Sequence, residues 1–121
     1  MPLEKRRVLC VDDNEDTLFI LTRLLEQEGF DVSTAVNSEL ALELASLASF
    51  DLYILDTWFP DGSGITLRES DPMTPIIVYS GAAYLNDRVV AINAGATAFV
   101  PKPYVEELLD TIGRLPEVFE S

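Results

Sequence analysis

Residues 7–16 read RVLCVDDNED, an apolar run Val8-Leu9-Cys10-Val11 stopped by two adjacent acids, Asp12 and Asp13. The pattern returns once, where Leu52-Tyr53-Ile54-Leu55 runs directly into Asp56. Short continuous apolar runs of this kind fit strands buried on both faces of a parallel sheet. If the two runs are neighbours, their C-terminal ends bring Asp12, Asp13 and Asp56 into one crevice. Like charges packed so closely repel, so the cluster is costly unless a cation or a proton relieves it. The arrangement points to a hard-cation site beside a potential phosphate acceptor.

Outward from these runs, strand-like segments alternate with helix-period segments, the pattern of an α/β domain whose parallel sheet is covered on both faces. Strands are expected near Arg7–Val11, Asp31–Ala35, Asp51–Leu55, Ile76–Ser80 and Ala98–Val100. The first helix carries Leu18, Leu21 and Leu25 on one face, with Asn14 as N-cap, Glu15 and Asp16 in its first turn, and Gly29 beyond its end. The second starts at Ser38 as cap and sets Leu40, Leu44 and Leu47 on one stripe. Only residues 65–70 separate Gly64 from the turn 71–75, which leaves the third helix less than about two turns at 3.6 residues each. A fourth is expected over Leu85–Asn93. The last carries Val105, Leu108, Leu109, Ile112 and Leu115 before Pro116. In a doubly wound sheet, functional groups gather at the carboxyl ends of strands, where Asp12, Asp13, Asp56, Ser80 and Lys102 all fall.

A chain of 121 residues, 48% of them hydrophobic, fits a single domain over 1–121, with a core of about 6–115 and a tail at 116–121. No apolar segment approaches a membrane span, and the basic start runs into a strand, so neither a signal peptide nor a membrane partner is expected. One cysteine, Cys10, rules out a disulfide framework within the chain and suits a reducing cytoplasm. A formal charge of −13 argues against nucleic-acid contact, which depends on Lys and Arg neutralising phosphates.

Through VDDNED at 11–16, LDTWFPDGSG at 55–64, YSGA at 79–82 and PKP at 101–103, the chain resembles the receiver domain of two-component response regulators. The resemblance covers essentially the whole length and implies a flavodoxin-like, five-stranded parallel sheet of order 2-1-3-4-5, here with a shortened third helix. It implies that Asp56 is the phosphoacceptor and that Asp12, Asp13, Asp56 and the backbone carbonyl of Trp58 hold Mg²⁺ or Mn²⁺. Ser80 and Lys102 would serve the phosphoryl group, and the Lys102–Pro103 bond would be cis. Ser80 and Phe99 would form the switch that alters the face made by helix 4, strand 5 and helix 5, which is also a candidate homodimer surface. The donor would be a sensor histidine kinase or a histidine phosphotransfer protein. The domain would phosphorylate and dephosphorylate itself without acting as a multiple-turnover enzyme.

Trp58 and Ala82, two residues beyond Asp56 and Ser80, stand where the family adjusts the lifetime of the phosphate. A bulky Trp58 restricting water, and an Ala82 with no polar group to orient it, lead to an expectation of slow self-dephosphorylation. A phosphorylation-independent interaction module would keep the fold and drop an acid, Ser80 or Lys102, and all are present. A related phosphohydrolase would place an Asp where Trp58 stands. A flavin protein would need a phosphate loop in place of the acids at 12–16. The chain is read either as a receiver without its own output domain or as one excised from a larger regulator.

Overall fold

The structure, a computed structural model, describes residues 5–56, 63–81, 85–93 and 95–115. Strands β1 (Arg7–Val11), β2 (Asp31–Ala35), β3 (Leu52–Leu55), β4 (Ile76–Ser80) and β5 (Ala98–Pro101) alternate with helices α1 (Glu15–Gln27), α2 (Ser38–Leu47), α3 (Ser63–Ser70), α4 (Leu85–Asn93) and α5 (Val105–Gly113). The strands form one parallel sheet of order β2-β1-β3-β4-β5. This is the doubly wound arrangement expected from the alternation of patterns.

Strand periodicity divides the core between the two faces of the sheet. Val8, Cys10, Leu52, Ile54, Ile77 and Tyr79 turn toward one face, where Leu18, Leu21 and Leu25 of α1 and Leu108 and Ile112 of α5 cover them. Leu9, Val11, Tyr53, Leu55 and Ile76 turn toward the other, with Ala41 of α2 and Leu67 of α3. On that second face, farther along the sheet, Val78 packs with Ala91 of α4, Ala96 and the partly buried Phe99. Because β1, β3 and β4 are covered on both faces, their apolar runs are continuous.

Local differences from the expected boundaries have physical causes. Asp51 stays outside β3 because its carboxylate accepts from the Arg7 backbone N–H at 2.8 Å, while its own N–H donates to the Arg7 carbonyl at 2.7 Å. The cap of α2 is Asn37, whose side chain accepts from the Leu40 N–H at 2.8 Å, and Ser38 is the first helical residue. Leu47 is the last helical residue and is 75% exposed, so Ala41 makes the buried contact of α2 instead. Helix α3 takes in Ser63 and Gly64 and reaches 8 residues, just over two turns, yet it is the shortest helix among the described residues. Leu115 lies past the end of α5 and is still buried, whereas Pro116 falls outside the described residues.

At the end of the sheet away from the acids, one partly exposed hydrogen-bond network fixes the turn between α3 and β4. The Tyr53 hydroxyl and the Thr74 hydroxyl both donate to Asp71 Oδ2, at 2.8 Å and 2.7 Å. Arg68 donates to the Pro72 carbonyl at 2.9 Å and to the Gly95 carbonyl at 3.2 Å. Its stem fills the space beside Gly95, whose φ of +111° suits glycine alone at low cost. Burial first, then the hydrogen bond and charge of Asp71, hold the Tyr53 phenol well above its usual value of 10.0. The stability this contributes is therefore fully present below pH 10.0 and is lost as pH rises through the raised value. Denaturant unfolding of Tyr53→Phe should show a loss of about 1 kcal/mol at neutral pH and a shallower decline than the parent above pH 10.0. An identical decline in both proteins would contradict the assignment.

Candidate metal and phosphoacceptor site

The sheet order places β1 and β3 side by side, with Val11 opposite Leu55, so Asp12 and Asp56 leave adjacent strands at the same level. Backbone bonds hold both departures: Asp56 N–H donates to the Val11 carbonyl at 2.8 Å, and Asp12 N–H to the Ala35 carbonyl at 3.1 Å. Asp12 is buried, and its Oδ1 accepts from the Asn14 N–H at 2.8 Å. Asn14 in turn caps α1 by accepting from the Thr17 N–H at 3.1 Å. Capping thus falls to Asn14, which leaves the exposed carboxylate of Asp13 to the crevice. Asp12, Asp13 and the partly buried Asp56 each bring a carboxylate oxygen to within 4.8 Å of the others.

Lys102 reaches this cluster from β5. Its backbone N–H donates to the Ser80 carbonyl at 2.8 Å, continuing the β4–β5 ladder one residue past Pro101, and the Lys102–Pro103 bond is cis. The ammonium then donates to Asp12 Oδ2 at 2.6 Å and to Asp56 Oδ1 at 2.7 Å. Burial alone would lower its pKa, but the hydrogen bonds and charges of Asp12 and Asp56 outweigh burial and raise it above 10.5. Lys102 is therefore a fixed cation at neutral pH. Ser80 ends β4 and is buried, level with Pro101 of β5. Beneath Asp12, burial first and then the Asp12 charge push the Cys10 thiol up to about 12, leaving it an inert core group.

Asp12, Asp13 and Asp56 thus lie together with the Lys102 ammonium on two of them, while Ser80 ends the adjacent strand. Trp58 and Ala82 lie outside the described residues. Phe99 is partly buried on β5, and the Arg88 guanidinium of α4 stands 5.5 Å from its ring centroid. Sequence reading missed Arg88, and it missed Tyr79, whose ring centroid is 6.0 Å from the Lys102 ammonium. The available signal for Tyr79 was one aromatic at the end of an otherwise aliphatic strand, immediately before Ser80.

Chemically, three oxygen-bearing acids with one backbone-anchored side chain suit a small hard cation that keeps several waters. The donor set contains no nitrogen or sulfur ligand, so Mg²⁺ or Mn²⁺ fits it better than a softer metal. Residues 8–113 match the family model described as the response regulator receiver domain. The chain belongs to that family. This receiver domain is 34% identical over 115 residues to the "Uncharacterized transcriptional regulatory protein YkoG" of Bacillus subtilis, covering 91% of the chain and 50% of that protein. It therefore spans about half the length of that curated relative. Among solved structures, it resembles the chemotaxis protein CheY4 of Vibrio cholerae, with a TM-score of 0.84, 28% identity and coverage of 92% and 98% of the two chains. The response regulator TrrA of Thermotoga maritima, solved in complex with Mg²⁺ and BeF, matches with a TM-score of 0.77, 30% identity and coverage of 90% and 97%.

Replacing the Lys102 cation should leave Asp12 and Asp56 facing each other without compensation. Lys102→Met is expected to lose about 2 kcal/mol or more in metal-free buffer. Adding Asp56→Asn to Lys102→Met should recover part of that loss. Additive losses in the double variant would contradict the repulsion.

Proposed function

We propose that this receiver domain accepts a phosphoryl group on Asp56 in a divalent-cation-dependent reaction, as the signalling step of a two-component system. The observation that carries the reading is the position of Lys102, 2.6 Å from Asp12 and 2.7 Å from Asp56, over acids within 4.8 Å of one another. Asp56 would attack the phosphorus of a phosphohistidine through a carboxylate oxygen; the new P–O bond forms as the P–N bond breaks, and the imidazole leaves with the electron pair. Lys102 would hold the phosphoryl oxygens by charge, and the Ser80 hydroxyl would donate to one of them. Asp12 and Asp13, with the Trp58 carbonyl, would hold the metal, which when bound neutralises charge on the same oxygens. The donor is a sensor histidine kinase or a histidine phosphotransfer protein, acting in the cytoplasm.

Readout follows from the same groups. As Ser80 turns to the phosphate, Phe99 would take up the space released and alter the surface of α4, β5 and α5 for a protein partner or a second copy. No helix among the described residues is long and apolar enough to cross a membrane. Trp58 and Ala82 set the lifetime of the adduct in this reading.

Intact mass after incubation with acetyl phosphate and Mg²⁺ tests the proposal. One phosphate adduct is expected, absent in Asp56→Asn and with chelator, and its decay should quicken in Trp58→Ala. An adduct that survives in Asp56→Asn, or that forms without a divalent ion, would overturn it.

A further inference from the structure

A divalent ion at the three carboxylates would compete with the ammonium for carboxylate oxygens and repel it. Lys102 donates to Asp12 Oδ2 at 2.6 Å as well as to Asp56 Oδ1 at 2.7 Å. A cation held within a cluster whose oxygens lie within 4.8 Å of one another would stand a few ångströms from that ammonium. Repulsion at such a separation is strong even at an effective dielectric of about 20. Asp12 is buried and joined to the Asn14 backbone, so the flexible lysine stem is the part that yields.

Tyr79 lies where that stem can go. Its side chain is 4% exposed, in the core beneath α1 and α5, and its ring centroid is 6.0 Å from the Lys102 ammonium. The ring, the Lys102 side chain, Ile20, Leu21 and Val105 line a cavity of about 140 Å³. Lys102 and Tyr79 thus border the same open space. An aromatic face attracts an ammonium without offering the metal a competing carboxylate or losing one. Burial, the largest influence on the phenol, raises its pKa, so the ring stays neutral beside the acids.

We propose that Tyr79 is a positioning residue whose ring face receives the Lys102 ammonium as Asp12 turns to a divalent cation, keeping Lys102 beside Asp56. This rests on the reading of the crevice as a cation site. In a Mg²⁺ titration of the full chain followed by NMR of the Lys102 ε-methylene protons, those protons should move upfield toward saturation, in the parent and in Tyr79→Phe alike. Tyr79→Leu should lack the movement and bind Mg²⁺ about three- to tenfold more weakly. Parent-like Mg²⁺ affinity in folded Tyr79→Leu would overturn the proposal, as would a loss in Tyr79→Phe equal to that in Tyr79→Leu. Should Tyr79→Leu fail to fold, the parent and Tyr79→Phe still decide, because saturation without an upfield movement in either overturns it. A parent that binds no Mg²⁺ overturns the cation-site reading beneath it, and is told apart because no saturable signal of any residue appears.

Discussion

The ammonium of Lys102, lodged between Asp12 and Asp56, is the contact on which the geometry of the crevice depends. The partners are 90 and 46 residues away in sequence, so the contact exists only once β1, β3 and β5 are in place. Without a cation, a buried Asp12 beside a half-buried Asp56 would carry desolvation and repulsion together. With Lys102 present, the cluster persists while its charges remain poised. That suits the proposed binding of a second cation and a phosphoryl group, since the compensation is made by a flexible stem.

Sheet order explains why the acids meet at this point. β1 lies between β2 and β3, so the chain leaves β1 and β3 at the same level, and the crevice opens at the carboxyl ends of the central strands. The site therefore stands at the ends of buried strands, with Asp12, Asp56 and Lys102 each one residue past β1, β3 and β5. It also borders both layers of helices. Tyr79 and the stem of Lys102 face α1 and α5, whereas Phe99, with Arg88 against its ring, faces α4. Lys102 thus joins the carboxylates to Tyr79 on one face, while Phe99 packs with Val78 and Ala91 on the other.

Much of this was legible because continuous apolar runs ending in acids carry both the strand and the site. Asp12, Asp13, Asp56, Ser80 and Lys102 follow from strand ends, and the faces of α1 and α5 follow from leucine spacing. What escaped depended on competition among neighbours. Asn37 and Ser38 are both good caps, and only the backbone conformation chooses Asn37. Leu47 continues a leucine stripe that the helix does not extend far enough to bury. Asp51 looks like the first residue of a strand until its carboxylate is seen on the Arg7 N–H. The contacts of Tyr79 with Lys102 and of Arg88 with Phe99 join separate elements, and no local pattern announces them.

Family membership and the shared frame of CheY4 and TrrA agree with the fold built from the strand runs, and the chain spans about half the length of YkoG. In the proposed site, Lys102 holds the place of a divalent cation on Asp12. Calorimetric titration of Mg²⁺ into Lys102→Met and the parent, unphosphorylated and at equal ionic strength, tests it directly. One saturable site is expected in both proteins, with tighter binding in Lys102→Met, because the competing ammonium is gone. Weaker or unchanged binding in a folded Lys102→Met would contradict it.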